Sequence, residues 1–128
     1  MSIFDVELKE LRERVLKLGI MVENAIRDSV KALIERDSEL AREVIRKDHL
    51  VNAQDVAIDI ECIRLLALRQ PMGSDLRFIT TTMKITTDLE RMGDLAVNIA
   101  ERALELNEEP QLKPFVNIPK MAELAQAM

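Results

Sequence analysis

The chain has 128 residues, 48% of them hydrophobic and 32% charged, with three Phe and neither Trp nor Tyr. Its net charge of −5 lacks the basic footprint of a nucleic-acid binder, and a single cysteine, Cys62, excludes an intramolecular disulfide and a Cys-rich zinc site. No apolar run approaches the ~18 residues of a membrane span, Asp5, Glu7, Lys9 and Glu10 break up any signal-peptide core, and one domain in a reducing cytosol is expected.

The first segment keeps alternating steps of four and three: Phe4, Leu8, Leu11, Val15, Leu18, Val22, Ala25. That is the seam of a packed helix. The pattern continues through Ile26, Val30 and Leu33 and predicts a helix over Asp5–Arg36, roughly 48 Å long at ~1.5 Å per residue. Gly19 weakens the middle of such a helix and is expected to permit a close contact. Asp37 or Ser38 caps a second helix that runs to Arg69, where Pro71 ends it. Ser74 is the expected cap of a third, with Asp75 in its first turn, extending to Asn107. Thr80, Thr81, Thr82, Thr86 and Thr87 form helix poorly, so packing must hold that stretch.

Residues 108–118 carry Pro110 and Pro114 and are expected to be a linker. Pro119 suits the first position of another helix, and Met121, Leu124, Ala125 and Met128 give 119–128 an apolar spacing that stops within about ten residues. The chain is therefore expected to be cut inside a fourth helix. Three long helices with short connections predict an all-α, antiparallel up-down-up three-helix bundle over 4–107.

The acids fall in stripes. On the second helix Asp48, Asn52, Asp55 and Asp59 lie within roughly 60° of one another at ~100° per residue. Val44, Val51, Ile58 and Leu65 flank them on one side, and Val56, Ile60 and Ile63 on the other. On the third helix Leu89, Met92, Ala96, Ile99, Ala103 and Leu106 form the expected apolar seam. Glu90, Asp94 and Glu101 lie roughly opposite, with Thr87 and Asn98 near them. Glu90 and Asp94 stand one turn apart, as do Asp55 and Asp59. Like charges at that spacing cost an isolated helix ~0.2–0.5 kcal/mol, which gathering ligands for an oxygen-loving cation would justify. The plainer reading is a solvated acidic face, partly neutralised by Arg91 and Arg102.

Other chemistry is thin. His49 stands alone, without a nucleophile elbow, an oxyanion motif or a Gly-rich phosphate loop, and is expected at the surface or in an interface. Cys62 is expected to be a small buried hydrophobe. A di-iron oxidase would need a Glu-x-x-His pair from each of two helices, which one histidine cannot supply. Arg69, Asp75 and Arg77 surround the turn between the second and third helices. They make either an anion or partner contact or an ion-pair cluster that fixes the turn.

Three runs carry a resemblance: Val56-Ala57-Ile58-Asp59; Leu68-Arg69-Gln70-Pro71 followed by Ser74-Asp75-Leu76-Arg77; and Asp88-Leu89-Glu90-Arg91-Met92-Gly93-Asp94. The combination resembles the PhoU family of bacterial phosphate-uptake regulators over Phe4 to Asn107. A member of that family resembles two three-helix bundles in tandem, and this chain matches the first and the opening turns of the second. The resemblance implies a non-enzymatic, cytoplasmic negative regulator of phosphate uptake and phosphate-regulon signalling. It implies a helical adaptor between a phosphate ABC transporter, through its ATPase subunit, and a sensor histidine kinase. Dimer formation and peripheral association with a membrane-bound complex are implied as well.

It further implies a metal site built from E(D)xxxD motifs, which here are Glu90 with Asp94 and, in form, Asp55 with Asp59. Asp48, Asn98 and Glu101 stand beside them. Asn98 replaces an acid common in the family, so a site there would carry less charge. Iron, zinc, manganese or magnesium would suit it. A metal-free helical scaffold is the alternative, and a carboxylate-metal hydrolase a remote one.

Overall fold

The computed structural model describes residues 2–108, which apart from Ser2 and the connections at 36–37 and 70–72 lie in three helices: α1 (Ile3–Glu35), α2 (Ser38–Arg69) and α3 (Gly73–Glu108). The expected linker over 108–118, apart from its first residue, and the helix start over 119–128 lie outside the described residues. The chain is all-α and runs up, down and up. Contacts at the ends of the helices set that course. Arg64 and Arg69, late in α2, reach Glu7 near the start of α1. Asn107 Nδ2 donates to Ser38 Oγ at 2.8 Å, joining the end of α3 to the start of α2.

Local chemistry explains where the helices stop. Ser2 and Asp5 form a reciprocal capping box on α1, satisfying backbone N–H groups that have no partner inside the helix. At its other end Arg36 turns left-handed, with φ 55°, and its N–H reaches Ala32 O. Asp37 caps α2, its Oδ1 accepting from the Leu40 N–H at 3.0 Å. Gln70 is left-handed too, with φ 45°, just before Pro71. Gly73, with φ +60°, already belongs to α3, one residue ahead of the cap expected at Ser74.

The core changes character along its length. Towards the α2–α3 turn it holds Leu11, Leu18, Val22, Ile58, Cys62, Leu65 and Ile79, all essentially buried. Towards the α1–α2 turn it holds Ala32, Ala41, Val44, Ala96, Ala100 and Ala103. Small side chains let helix axes approach closely there. Between these ends a cleft of about 440 Å³ opens between α1 and α2, with Gly93 and Val97 of α3 also lining it.

The seam expected on α3 is partly corrected. Ala96 and Ala103 are buried as expected, but Met92 is 44% exposed. The buried face runs instead through Ile79, Thr82, Thr86, Gly93, Ala96, Ala100 and Ala103. Packing does hold the threonine-rich stretch. The buried hydroxyls of Thr82 and Thr86 donate to Phe78 O at 2.8 Å and Met83 O at 2.9 Å, which satisfies them without a partner helix. The expectation for Gly19 fails: a Cβ there would meet nothing within 4 Å. The close approach is at Gly93, where a Cβ would stand 3.5 Å from Val51 Cγ1 and 4.0 Å from Asp48 Oδ1.

Candidate functional site

The site is the flank where α2 and α3 meet. Burial of Val44, Val51, Ile58 and Leu65 orients α2. Asp48 and Asp55 then fall just beside the core, and Asp59 further out. Burial of Thr86, Gly93 and Ala100 orients α3 in the same way and brings Glu90 and Asp94 to the facing flank. These two acids are exposed, yet they border the core and face α2 instead of lying opposite the buried seam.

Asp55 is the centre of the arrangement. Its carboxyl meets that of Glu90 across the helix pair, and it is half-buried. Burial, the proton-sharing contact with Glu90, and the charges of Glu90, Asp59 and Asp94 push it from an ordinary carboxylate value up to about 6. Asp48 is raised too, first by burial, against a hydrogen bond from Asn52 Nδ2 at 3.2 Å; the Asp94 charge also raises it. No lysine or arginine contributes to either group. His49 is the one basic group that lowers Asp48, and none lowers Asp55; acids gathered in this way are short of positive charge, and a cation would supply it.

The structure thus draws Asp48, Asp55, Asp59, Glu90 and Asp94 into one electrostatic neighbourhood. Asn98 and Glu101 are exposed one and two turns beyond Asp94, further along α3. Among the described residues, no set of three or more His, Cys, Asp or Glu side chains converges tightly enough to enclose an ion. The closest association is the pair Asp55–Glu90. An all-oxygen pair fits hard cations, Mg²⁺ above all, which binds through one or two carboxylates and keeps several waters. A thiolate or imidazole donor is absent from this flank, and the one histidine, His49, faces solvent with Nδ1 against Arg46 O.

The residues around the α2–α3 turn do something else. Arg69 Nε binds Glu7 Oε1 at 2.8 Å, and Arg64 joins the same carboxylate. Hydrogen bonds from Arg69 and then Arg64 hold Glu7 below its usual range. Arg69 therefore ties α2 to α1. Asp75 lies in the first turn of α3, and Arg77 is exposed on the next residues. Cys62 is fully buried, and its thiol is pushed up to about 11, chiefly by burial, so it is an inert core residue. Neither Glu7 nor the cleft between α1 and α2 stands out in the sequence. Glu7 shows no signal in a one-dimensional pattern, because its partners lie 57 and 62 positions away.

Comparison with known proteins gives a consistent picture. The family model of the PhoU domain matches residues 15–103. A phosphate-specific transport system accessory protein PhoU homolog of Aquifex aeolicus is 49% identical over 122 residues, 95% of this chain and 55% of that protein. The accessory protein PhoU of Escherichia coli is 44% identical over 102 residues, 80% of this chain and 42% of that protein. The crystal structure of PhoU from Pseudomonas aeruginosa superposes with a TM-score of 0.80 at 46% identity, covering 82% of this chain and 50% of the other. The chain spans about half the length of the curated relatives it matches.

Proposed function

The chain belongs to the PhoU family, and from that premise we propose that it serves a phosphate-specific transport system as a non-catalytic, cytoplasmic regulatory module that restrains phosphate uptake and phosphate-regulon signalling. The observation that carries this reading is the high identity, over nearly the whole chain, to relatives named as accessory proteins of such systems. Helical faces would dock a transporter ATPase subunit and a sensor histidine kinase, at the periphery of a membrane-bound complex and as a homo-oligomer. No helix among the described residues is long and apolar enough to cross a membrane, so attachment through partners suits the reading.

The expression test uses a bacterium that lacks its own accessory protein and carries a phosphate-starvation reporter. The 128-residue chain is expected to lower reporter output in phosphate-rich medium. Unchanged output with the chain present at normal levels would count against regulation by this half-length unit.

Metal is the finer part of the proposal. Asp55 and Glu90 would hold a divalent or trivalent ion, with Asp94, Asp48 and Asp59 adding charge around it. The bound ion would offset the repulsion that raises Asp55 and would cross-link α2 to α3. Metal content by plasma mass spectrometry, on protein purified without chelator, is the check, beside the Asp55→Asn/Glu90→Gln variant. Near-stoichiometric metal that disappears in the variant is the expected result. Equal metal in both proteins would sink the assignment.

A specific observation favours the second reading, a metal-free scaffold: no three donors converge among the described residues. That reading expects no metal in either protein and unchanged regulation by the variant.

A further inference from the structure

The α1–α2 cleft, about 440 Å³, is of the size that holds small molecules. Its inner end is apolar. Val44, Val51 and Gly93 are buried there, with Met21 and Val97 half-buried beside them. One charged group reaches that depth, Asp48. A Cβ on Gly93 would stand 3.5 Å from Val51 Cγ1 and 4.0 Å from Asp48 Oδ1, so the carboxylate borders the same floor as the valines. The order of side chains around α2 follows from the helix. At ~100° per residue Asp48, Val44 and Val51 span roughly 60°, and Lys47 and Glu43 come next, towards α1 and the mouth.

The mouth carries charges of both signs, and they neutralise one another. Arg27 Nε lies 3.7 Å from Asp28 Oδ1 on α1, and Lys47 Nζ lies 3.4 Å from Glu43 Oε1 on α2. Neither pair crosses the cleft, so neither closes it. Asp48 differs. Its carboxylate accepts from Asn52 Nδ2 at 3.2 Å and, among the described residues, enters no ion pair; the exposed His49 acts on it only through space. The cleft therefore offers an apolar wall that ends in one uncompensated negative charge. An anionic guest would be repelled by Asp48. A wholly apolar guest would strip water from that carboxylate and give it no partner. A guest with an apolar body and a cationic head satisfies both.

We propose that the α1–α2 cleft is a binding site for a small aliphatic amine, its ammonium on Asp48 and its hydrocarbon chain against Val44, Val51 and Val97. Packed helix axes stand about 8–10 Å apart, so an alkyl chain of about six carbons reaches from the mouth to Asp48. The ammonium stays charged at neutral pH, as that of lysine does, and its three donors serve the carboxylate and water together. A lysine side chain of another protein has the same chemistry, but its main chain would have to lie across the two ion pairs of the mouth and desolvate them. A free amine makes no such demand. Asp48 is two turns, roughly 10 Å, from Asp55 along α2, so the amine and an ion at the Asp55–Glu90 pair occupy separate places. The cleft site stands whether or not metal binds at that pair.

Methyl NMR on the 128-residue chain, in chelator and at neutral pH, tests the proposal with n-hexylamine as the probe. Saturable shifts of the Val44, Val51 and Val97 methyls are expected, with a Kd of about 1 mM, the range open to so small a ligand. Hexanoate, alike in length and opposite in charge, should bind at least tenfold more weakly. Asp48→Asn keeps the side chain's shape and should weaken the amine about tenfold with the helical circular dichroism unchanged. Gly93→Ala is an independent variant. Its methyl fits in ordinary contact, 3.5 Å from Val51 Cγ1, and should raise the melting temperature. It narrows the floor beside Asp48, so it should weaken the amine severalfold. No saturable shift up to about 20 mM hexylamine, well above that Kd, overturns the proposal. Equal binding of hexanoate, or equal affinity in Asp48→Asn or in Gly93→Ala, overturns it as well. Nα-acetyl-lysine amide completes the set: tighter binding than hexylamine would give the cleft to a partner's side chain and overturn the free amine.

Discussion

Asp55 carries the electrostatic cost of the α2–α3 flank. In the unfolded chain an aspartate titrates near ~3.9; in the folded protein this one titrates at about 6. Between those values the native state holds a proton that the unfolded state has lost. The group therefore contributes stability that is full below pH ~4 and is lost as pH rises through about 6. Asp55→Asn keeps the neutral form at every pH. The variant is expected to melt about 2–5 °C higher than the parent at pH 7.5, roughly 1 kcal/mol after solvent screening, and to match it near pH 4.5. A thermal melt at each pH checks this, in chelator so that metal does not offset the repulsion. A parent that loses stability on acidification from pH 7 to 5.5, with the variant behaving alike, would contradict it. Metal affinity at this flank should likewise fall as pH drops through about 6, because the ion competes with that proton.

At the scale of the helices, ends were legible in the sequence and faces were less so. Helix ends depend on a few residues with strong local preferences: Asp37 accepts from the Leu40 N–H, and Pro71 forbids continuation. These interactions span three or four residues, so a linear reading finds them. The buried face of α3 depends on partners far away in the chain. The expected seam ran through Leu89, Met92, Ala96, Ile99, Ala103 and Leu106, whereas close helix approach buries Gly93 and Ala100 beside Ala96 and Ala103. Met92, apolar and large, is left outside for that reason. Gly19 and Gly93 look alike in sequence and differ only in what stands opposite them. The acids of the site were legible as a stripe on each helix. Their partnership was not, because Asp55 and Glu90 are brought together by the rotation of two helices. Cap chemistry gives a two-sided prediction: Asp37→Ala should cost about 1 kcal/mol, whereas Gln70→Gly, at φ 45°, should stabilise by about 0.5–1 kcal/mol. Urea melts that moved both variants in one direction would contradict this account of the termini.

Taken whole, the bundle is asymmetric in three ways. Its α2–α3 flank gathers acids, its α1–α3 flank gathers exposed apolar side chains, and its core passes from Leu and Ile to Ala along the axis. The acidic flank and the exposed apolar side chains lie on different sides of one small scaffold. Among the described residues the buried thiol of Cys62 is pushed up to about 11 and the buried hydroxyls all have partners.

The taper of the core has a consequence for how the molecule breathes. Burying alanine removes far less apolar surface than burying leucine or isoleucine, so the layers near the α1–α2 turn contribute less to holding the helices together. Opening should therefore begin there and travel along the bundle like a zip, with the cleft beside Gly93 as its first stop. Native-state hydrogen exchange would record this as a gradient. Amides of Ile58 to Leu65 and Leu11 to Leu18 should exchange only with global unfolding. Those of Ala32, Ala41 and Ala100 to Ala103 should exchange through smaller openings, about 1–2 kcal/mol less costly. A ligand or partner that clamps the alanine end would then act by closing that zip, slowing exchange there first.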